Sequence, residues 1–372
     1  MTKTVQQLLS DLAGKHGNEP LSTKYIQDYA IEHGYSFNFQ KLQPFKVGRG
    51  RYVLDGSAPT PTPTPTPMPT PTANTVTVLE SGDLGYTPEK DNLYVAHGFF
   101  KDLVKIFKAD LFYPVFITGL SGNGKTFMVE QAAAKTSKEM IRANITAESD
   151  ENSLIGGFRL SNGSTTWQDG PVLTAMKRGS ILLLDEIDLG TAKIMCLQSI
   201  LEGKPYYNKQ TGEVVTPSPG FNIVATANTK GKGSEDGRFI GTNVLNEAFL
   251  ERFPITVEQP YPTKATERKI VTKHFEALDI ADQDDFITNL VDWADIIRKT
   301  YYDAGIDEII STRRLGHIAK AYAIFESKLE AIKYCINRFD DETKEAMLNL
   351  YTKIDEGVDP EELTMTEEQP TF

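Results

Sequence analysis

Eight residues that follow an apolar stretch have the composition of a loop that binds phosphate. They are Gly119, Leu120, Ser121, Gly122, Asn123, Gly124, Lys125 and Thr126, and Phe127 continues into a helical pattern. Glycines let such a loop wrap so that backbone N–H groups and the helix N-terminus face phosphates. The pattern predicts that Lys125 neutralises the β and γ phosphates of ATP and that Thr126 binds Mg²⁺. The alternative is a glycine-rich turn that carries a lysine by chance.

Two acidic residues follow a second apolar run about sixty residues later, in the segment Ile181-Leu-Leu-Leu-Asp185-Glu186-Ile-Asp188. A buried strand delivers Asp185 to its carboxyl end, where ligands bind in open α/β sheets. We expect Asp185 to hold the Mg²⁺ and Glu186 to activate the attacking water. Asp188 is interpreted as a helix cap or as a residue that supports these two. A strand that simply meets a solvated loop is the alternative.

Asn228 ends the next apolar strand, within Val224-Ala-Thr-Ala-Asn228. An uncharged amide beside the γ-phosphate holds a water molecule without disturbing the balance of charge. Asparagine is also common in turns. Spacing alone leaves both interpretations open.

The elements around these residues indicate an α/β fold with a parallel sheet. Apolar strands at 114–118, 140–145, 180–185, 221–227 and 254–257 alternate with helical patterns. Two β-hairpin inserts interrupt them, one turning at Asn162-Gly163 and the other near Thr211-Gly212. After Pro262 the pattern is purely helical, at about 263–277, 283–303, 311–327 and 328–353. The prediction is an α/β core at 76–262 followed by an all-helical lid at 263–354.

Proline alternates with threonine through most of residues 58–72, which favours an extended spacer and excludes a helix. This Pro/Thr-rich linker, placed at 56–75, separates a small N-terminal α+β module at 1–55. The module is predicted to contain a helix near Thr4–Leu12, a second from Ser22 to about His33, and then a stretch of period two. Residues 340–372 carry eleven acids and two lysines, and 355–372 are interpreted as a solvated acidic tail, with a docking site as the alternative.

The motifs together resemble the MoxR branch of AAA+ ATPases. Their order is the phosphate loop, Asp185-Glu186, Asn228, Glu251-Arg252-Phe253 and Ser311-Thr312-Arg313. Longer stretches resemble phage-encoded proteins similar to CobS, the ATPase subunit of the aerobic cobaltochelatase. These stretches are GFFKDLVKIF, PVFITGLSGNGKTFMVEQ, LIGGFRL, ATANTKGKGSEDGRFIGTNVLNEAFLERF and EQPYP, and the likeness covers about residues 86–325. The resemblance implies an AAA+ P-loop NTPase core.

The resemblance also implies roles that spacing does not reveal. Arg252 matches the arginine finger, which acts on the γ-phosphate of a neighbouring subunit and therefore requires a ring, usually a hexamer. Arg313 matches the sensor of the lid, although the adjacent Arg314 leaves the register open. The first hairpin matches an insert that places Phe158 and Trp167 toward a central pore. The alternative is that these two rings simply pack across the hairpin.

Three functions follow as hypotheses. The first is an oligomeric motor that hydrolyses ATP and remodels a partner protein, which in this branch commonly carries a von Willebrand factor A domain. The second is the ATPase subunit of a chelatase that inserts cobalt into a corrin ring. The third is a nucleic-acid-associated ATPase, because residues 35–54 interleave lysine and arginine with aromatic residues. Partner-protein recognition and the absence of a specific ligand are the alternatives for that N-terminal segment.

Composition indicates a soluble globular protein, with 40% hydrophobic and 24% charged residues. The apolar run Ile181 to Leu184, like every other apolar run in the sequence, is far too short to cross a membrane, so no membrane association is expected. The two cysteines, Cys196 and Cys335, lie in apolar helical patterns and are interpreted as reduced. We therefore expect a cytoplasmic protein, in the bacterial host if it is phage-encoded.

Overall fold

The computed structural model describes residues 4–17, 19–36, 42, 45–48, 51–52, 54, 84–161, 164–234, 239–281 and 283–358. The chain divides into two compact units, Met1–Val78 and Leu79–Phe372. The predicted linker at 56–75 and the part of the acidic tail from 359 onward lie outside the described residues. Within the described part of the chain, no helix is both long enough and apolar enough to cross a membrane.

The first unit is small, and its described residues form two helices and three short strands. They are α1 (Val5–His16), β1 (Leu21–Ser22), α2 (Thr23–Glu32), β2 (Lys46–Gly48) and β3 (Arg51–Tyr52). Thr4 begins α1 with a capping box that includes Gln7, and Ser22 caps α2, as its position in the sequence predicts. The strands form an antiparallel sheet in the order β1-β3-β2. Residues 37–41, 43–44 and 49–50 of the basic and aromatic segment lie outside the described residues.

The second unit opens with an α/β core. Its elements are β4 (Gly85–Tyr86), α3 (Phe100–Ala109), β5 (Val115–Thr118), α4 (Lys125–Thr136), β6 (Met140–Asn144), α5 (Glu151–Leu154), β7 (Gly156–Ser161), β8 (Ser164–Asp169), α6 (Pro171–Arg178), β9 (Ile181–Asp185), α7 (Gln198–Leu201), β10 (Tyr206–Tyr207), β11 (Val214–Val215), β12 (Asn222–Thr226), α8 (Glu247–Leu250) and β13 (Ile255–Glu258). Six of these strands form one sheet in the order β13-β5-β12-β9-β6-β4. Five run parallel as predicted, and the edge strand β4, which was not predicted, pairs antiparallel with β6.

The order of the strands brings the predicted site together. Every residue of β5, β9 and β12 is buried, which is why each strand appears in the sequence as an unbroken apolar run. Because β12 lies between β5 and β9, the carboxyl ends of all three strands meet at one edge. The loop after β5, Asp185 at the end of β9 and Asn228 just beyond β12 therefore become neighbours.

Both predicted hairpins are present, as β7–β8 and β10–β11. Phe158 and Trp167 face each other across the first hairpin, with ring centroids 5.4 Å apart in an edge-to-face arrangement. The packing alternative therefore describes their contact, while Phe158 is still 49% exposed. The predicted turn at Asn162-Gly163 lies outside the described residues.

The lid follows as a bundle of helices with its own apolar core. The helices are α9 (Lys264–Glu276), α10 (Asp284–Tyr302), α11 (Thr312–Phe325), α12 (Lys328–Ile336) and α13 (Asp341–Ile354). The prediction of a single helix at 328–353 is wrong, because the first helix ends at Ile336 and a second begins at Asp341. Asp340 begins a new helix by accepting a hydrogen bond from the Thr343 amide at 2.9 Å.

Candidate nucleotide-binding and hydrolysis site

A cavity of about 440 Å³ lies between the α/β core and the lid. Its walls come from the phosphate loop, the ends of β9 and β12, helices α9 and α11, and the segment before α3. The lining includes Ser121, Gly122, Asn123, Gly124, Lys125, Thr126, Phe127, Asp185, Glu186, Asn228 and Arg313. Most of the residues predicted for the site are thus gathered in one place.

The phosphate loop owes its shape to three glycines with positive φ, at 140° for Gly119, 73° for Gly122 and 89° for Gly124. A Cβ at Gly119 would lie 2.5 Å from the carbonyl oxygen of Gln259, and one at Gly122 would lie 2.6 Å from the Ser311 hydroxyl. Both conformation and close approach therefore require glycine at these two positions. The loop ends at the N-terminus of α4, whose free N–H groups suit an anion.

Gly119 and Leu120 were predicted to bind the nucleotide, but they do not line the cavity. Their carbonyl oxygens instead accept hydrogen bonds from the Lys125 ammonium, at 2.6 and 3.0 Å. Asn123 donates through Nδ2 to the carbonyl oxygen of Gln259 at 2.6 Å, which ties the loop to the end of β13.

Lys125 is almost fully buried and lies beside Asn228, whose Oδ1 accepts from its Nζ at 3.2 Å. Burial, helped by the nearby Arg313, lowers the pKa of Lys125 to about 8 against the opposing effect of Asp188, Asp185 and Glu186. The ammonium is therefore poorly compensated here, and this is a site where a polyanion is favoured.

Asp185 is buried at the end of β9 and collects several donors. The Thr126 hydroxyl donates to its Oδ1 at 2.9 Å, and the Thr226 hydroxyl and the Arg142 guanidinium also contact the carboxylate. A hydroxyl and a carboxylate oxygen side by side are ligands that Mg²⁺ prefers, so Thr126 and Asp185 fit that ion. Sequence reasoning missed Arg142, whose place in β6 gave no sign that it would reach the neighbouring strand's Asp185.

Glu186 has an unusual backbone conformation, with φ 57° and ψ 44°. A left-handed conformation is strained for a residue other than glycine and is concentrated at functional sites. Here it turns the chain sharply after β9 and leaves the Glu186 side chain exposed on the cavity wall. The Glu186 amide donates to the Thr226 hydroxyl at 3.3 Å, which holds this turn.

Asp188 does not cap a helix. Its contacts instead fit the other interpretation, in which it supports residues of the site. It is fully buried, and its Oδ2 accepts from the amides of Asn228 and Thr229 at 2.9 and 2.8 Å and from the Thr229 hydroxyl at 2.9 Å. These bonds fix the backbone after β12, so that the Asn228 side chain faces Lys125 in the cavity.

The structure separates the two candidate sensors of the lid. Arg313 lines the cavity, whereas Arg314 points into the lid. There its guanidinium contacts the Cys335 carbonyl oxygen and lies 4.6 Å from the centroid of the Phe339 ring. Of the two arginines between which the sequence did not decide, Arg313 is therefore the one in the cavity.

Arg252 lies away from the cavity that the other predicted catalytic residues line. It follows α8, where its Nε donates to Glu202 at 2.8 Å and its guanidinium contacts the Ala248 carbonyl oxygen. Its side chain remains 25% exposed.

A second group of residues in the cavity lining was not predicted. It consists of Leu93, Tyr94, Val95, His97, Ile270, His274, Gly316, His317 and Lys320. Burial lowers the pKa of both His274 and His317, and the nearby Lys320 ammonium lowers both further, which favours neutral rings. The sequence shows His317 one helical turn after Arg313, a pattern more typical of packing. The imidazole rings and the apolar side chains of this group suit a nucleoside base, while Lys125 and the phosphate loop suit its phosphates.

The chain is similar to several known proteins. A family model described as an AAA domain of the dynein-related subfamily matches residues 114–253. The aerobic cobaltochelatase subunit CobS of a Sinorhizobium species is 26% identical over 240 residues, which cover 63% of this chain and 72% of CobS. An uncharacterized protein of Staphylococcus saprophyticus is 34% identical over 148 residues, covering 38% of this chain and 53% of that protein. The RuvB Holliday junction branch migration motor of Thermotoga maritima aligns with 77% of this chain and 82% of its own at a TM-score of 0.43 and 14% identity.

Proposed function

Since the chain is an AAA+ ATPase of the MoxR and CobS type, we propose that it is a Mg²⁺-dependent motor that assembles into a ring and remodels a partner protein. The cavity between core and lid is the proposed site of ATP hydrolysis.

The proposed chemistry divides the work among the residues that line the cavity. Lys125 and the N-terminus of α4 neutralise the phosphates, and Arg313 approaches them from the lid. Thr126 and Asp185 would hold Mg²⁺, which when bound offsets the charge of the phosphate oxygens. Glu186 accepts a proton from the attacking water, and Asn228 orients that water.

The observation that carries the proposal of a ring is the position of Arg252. The cavity contains every other predicted catalytic residue, while Arg252 lies outside it, partly exposed and held by Glu202. An arginine that completes the site from a neighbouring copy needs this placement, because it must leave its own cavity free and present a guanidinium outward. Closed rotational symmetry supplies the same contact at every interface, and we propose a hexamer.

A partner protein is proposed from the first hairpin. Phe158 and Leu160 lie two positions apart on β7, and therefore on one face of that strand, and are 49% and 77% exposed, so together they offer an apolar contact to another surface. In the proposed motor, nucleotide-driven movement of this hairpin acts on the partner, for which a von Willebrand factor A domain is our candidate.

A cobaltochelatase subunit is the second candidate function, and the CobS relative is the observation that favours it. In that case the cobalt and the corrin ring are bound by other subunits. A nucleic-acid-associated ATPase stays a prediction that rests on residues 35–54. Stimulation of phosphate release by a corrin-binding subunit, but not by DNA or RNA, distinguishes these two candidates.

Light scattering on Glu186→Gln tests the proposed ring. One chain has a mass of 41.4 kDa, so a hexamer has a mass of about 250 kDa. We expect Mg-ATP to shift Glu186→Gln to that mass, because this variant binds ATP and does not consume it. Lys125→Ala is the matched control and should show no ATP-dependent shift. A monomer of Glu186→Gln in saturating Mg-ATP would contradict the proposal.

A further inference from the structure

A buried ion pair lies inside the lid, close to the nucleotide cavity but outside it. Glu267 on α9 is 1% exposed and Arg298 on α10 is 5% exposed. The terminal nitrogens of Arg298, Nη1 and Nη2, donate to the two carboxylate oxygens of Glu267 at 2.7 Å each. The third nitrogen, Nε, donates to the Ile310 carbonyl oxygen at 2.8 Å. Every nitrogen of the Arg298 guanidinium therefore has an acceptor.

The pair holds both segments by which the lid approaches the core. On one side, the Thr312 hydroxyl donates to Glu267 Oε1 at 2.5 Å, and Thr312 is the first residue of α11. On the other side, the Arg298 guanidinium lies 4.2 Å from the centroid of the Tyr261 ring, in the chain that leads from the core to α9. Stacking of this kind fixes a planar guanidinium against an aromatic face.

Both segments in turn contact the backbone of the phosphate loop. The Tyr261 hydroxyl donates to the Ser121 carbonyl oxygen at 2.7 Å. The amide of Arg313 donates to the Gly122 carbonyl oxygen at 3.2 Å. An unbroken set of contacts thus joins the loop to the ion pair at two points, and the backbone amide of Arg313 makes one of them.

A purely stabilising role is a poor explanation for this arrangement. Removing two charges from water costs several kcal/mol for each ion, and apolar side chains of similar volume often stabilise a fold as well or better. An apolar pair does not make hydrogen bonds, so it cannot fix the orientation of neighbouring groups. The guanidinium of Arg298 presents donors and the carboxylate of Glu267 presents acceptors at fixed angles, and these determine where Thr312 and Tyr261 lie.

We propose that Glu267 and Arg298 are positioning residues that hold the first turn of α11 against the phosphate loop, so that Arg313 meets the phosphates in one geometry. The inference rests on the proposed function, because it assigns the ion pair to the same nucleotide site. Glu267 and Arg298 act only through Thr312, Ile310 and Tyr261.

Thr312 offers the sharpest test, because its hydroxyl can be removed without a change of shape. Thr312→Val deletes the bond to Glu267, whereas Thr312→Ser retains it. Loss of one hydrogen bond to a charged group predicts that affinity for a non-hydrolysable fluorescent ATP analogue falls about tenfold in Thr312→Val. Thr312→Ser should bind the analogue as the wild type does.

The same pair of variants in an Arg313→Ala background separates positioning from a direct or structural effect. If Thr312 acts through Arg313, the effect of Thr312→Val should shrink to less than about twofold in that background. An undiminished loss of affinity in Arg313→Ala would overturn the proposal, as would equal loss in Thr312→Ser and Thr312→Val.

A second variant tests the other contact with the loop. Tyr261→Phe keeps the ring on Arg298 and removes the hydroxyl that bonds to Ser121, so we expect weaker binding of the analogue and an unchanged melting temperature without nucleotide. A fall in melting temperature with unchanged affinity would instead mean a structural role. These assays measure binding and not hydrolysis. A wild-type chain that binds the analogue but does not hydrolyse ATP would therefore contradict the proposed function and leave this inference standing.

Discussion

Lys125 is predicted to take up a proton when the nucleotide binds. In the empty cavity burial holds its pKa at about 8, well below the ordinary value of 10.5. Triphosphate oxygens placed beside the ammonium favour its charged form and raise the pKa again. Between pH 8 and the pKa of the bound state, the empty site is mostly neutral and the filled site is charged. Affinity should therefore fall as the pH rises through this window.

The size of the effect follows from the pKa of about 8. At pH 9 only about one-tenth of the empty sites carry the charge, so binding should take up about 0.9 proton per site. Affinity at pH 9 should be about tenfold weaker than at pH 7, which corresponds to about 1.4 kcal/mol.

Isothermal titration calorimetry measures this proton directly. The heat of binding at pH 9 is compared in two buffers that differ in ionisation enthalpy, and the difference counts the protons taken up. Lys125→Arg is the matched control, because the guanidinium stays charged throughout this range and should take up no proton when the nucleotide binds. Equal heats of binding for the wild type in the two buffers at pH 9 would mean that Lys125 has an ordinary pKa and that the burial argument is wrong.

Three further variants test the assigned roles. Glu186→Gln should bind ATP normally and lose at least about a hundredfold in phosphate release, since it cannot accept a proton; turnover near the wild-type rate would exclude Glu186 as the base. Arg313→Ala should reduce turnover and leave the melting temperature unchanged. Arg314→Ala should lower the free energy of unfolding by about 1–3 kcal/mol and leave turnover unchanged. Lost turnover in Arg314→Ala and lost stability in Arg313→Ala would mean that the two roles are assigned the wrong way round. Asp188→Asn should slow turnover with little effect on ATP affinity, because the backbone at Asn228 loses part of its support, and unchanged kcat would show that Asn228 needs no such support.

The core could be predicted from the sequence because its strands carry their own signal. Strands buried on both faces appear as continuous apolar runs, and the chemistry-bearing residues follow directly at their carboxyl ends. The position of Lys125, Asp185 and Asn228 needed only that rule. The choice between Arg313 and Arg314 needed the lid, because adjacent residues on a helix differ only in the face that they occupy.

The unpredicted parts depend on contacts between distant segments. The Lys273 ammonium donates to the Tyr94 carbonyl oxygen at 3.2 Å, which joins α9 to a residue of the cavity lining 179 positions away in the sequence. Glu267 and Arg298 each lie in an ordinary amphipathic helix, where a charged residue is normally solvated. The break before α13 has a local cause in Asp340, a helix cap that the apolar pattern around it concealed.

Complementation between two inactive variants tests most directly whether Arg252 acts on a neighbouring copy. Lys125→Ala lacks a working cavity and keeps its arginine, while Arg252→Ala keeps its cavity and lacks the arginine. In an equal mixture, about a quarter of the interfaces pair an intact cavity with an intact Arg252, so phosphate release should recover toward about a quarter of the wild-type rate. Full hydrolysis by Arg252→Ala alone, or a mixture as inactive as its two components, would contradict the proposed motor.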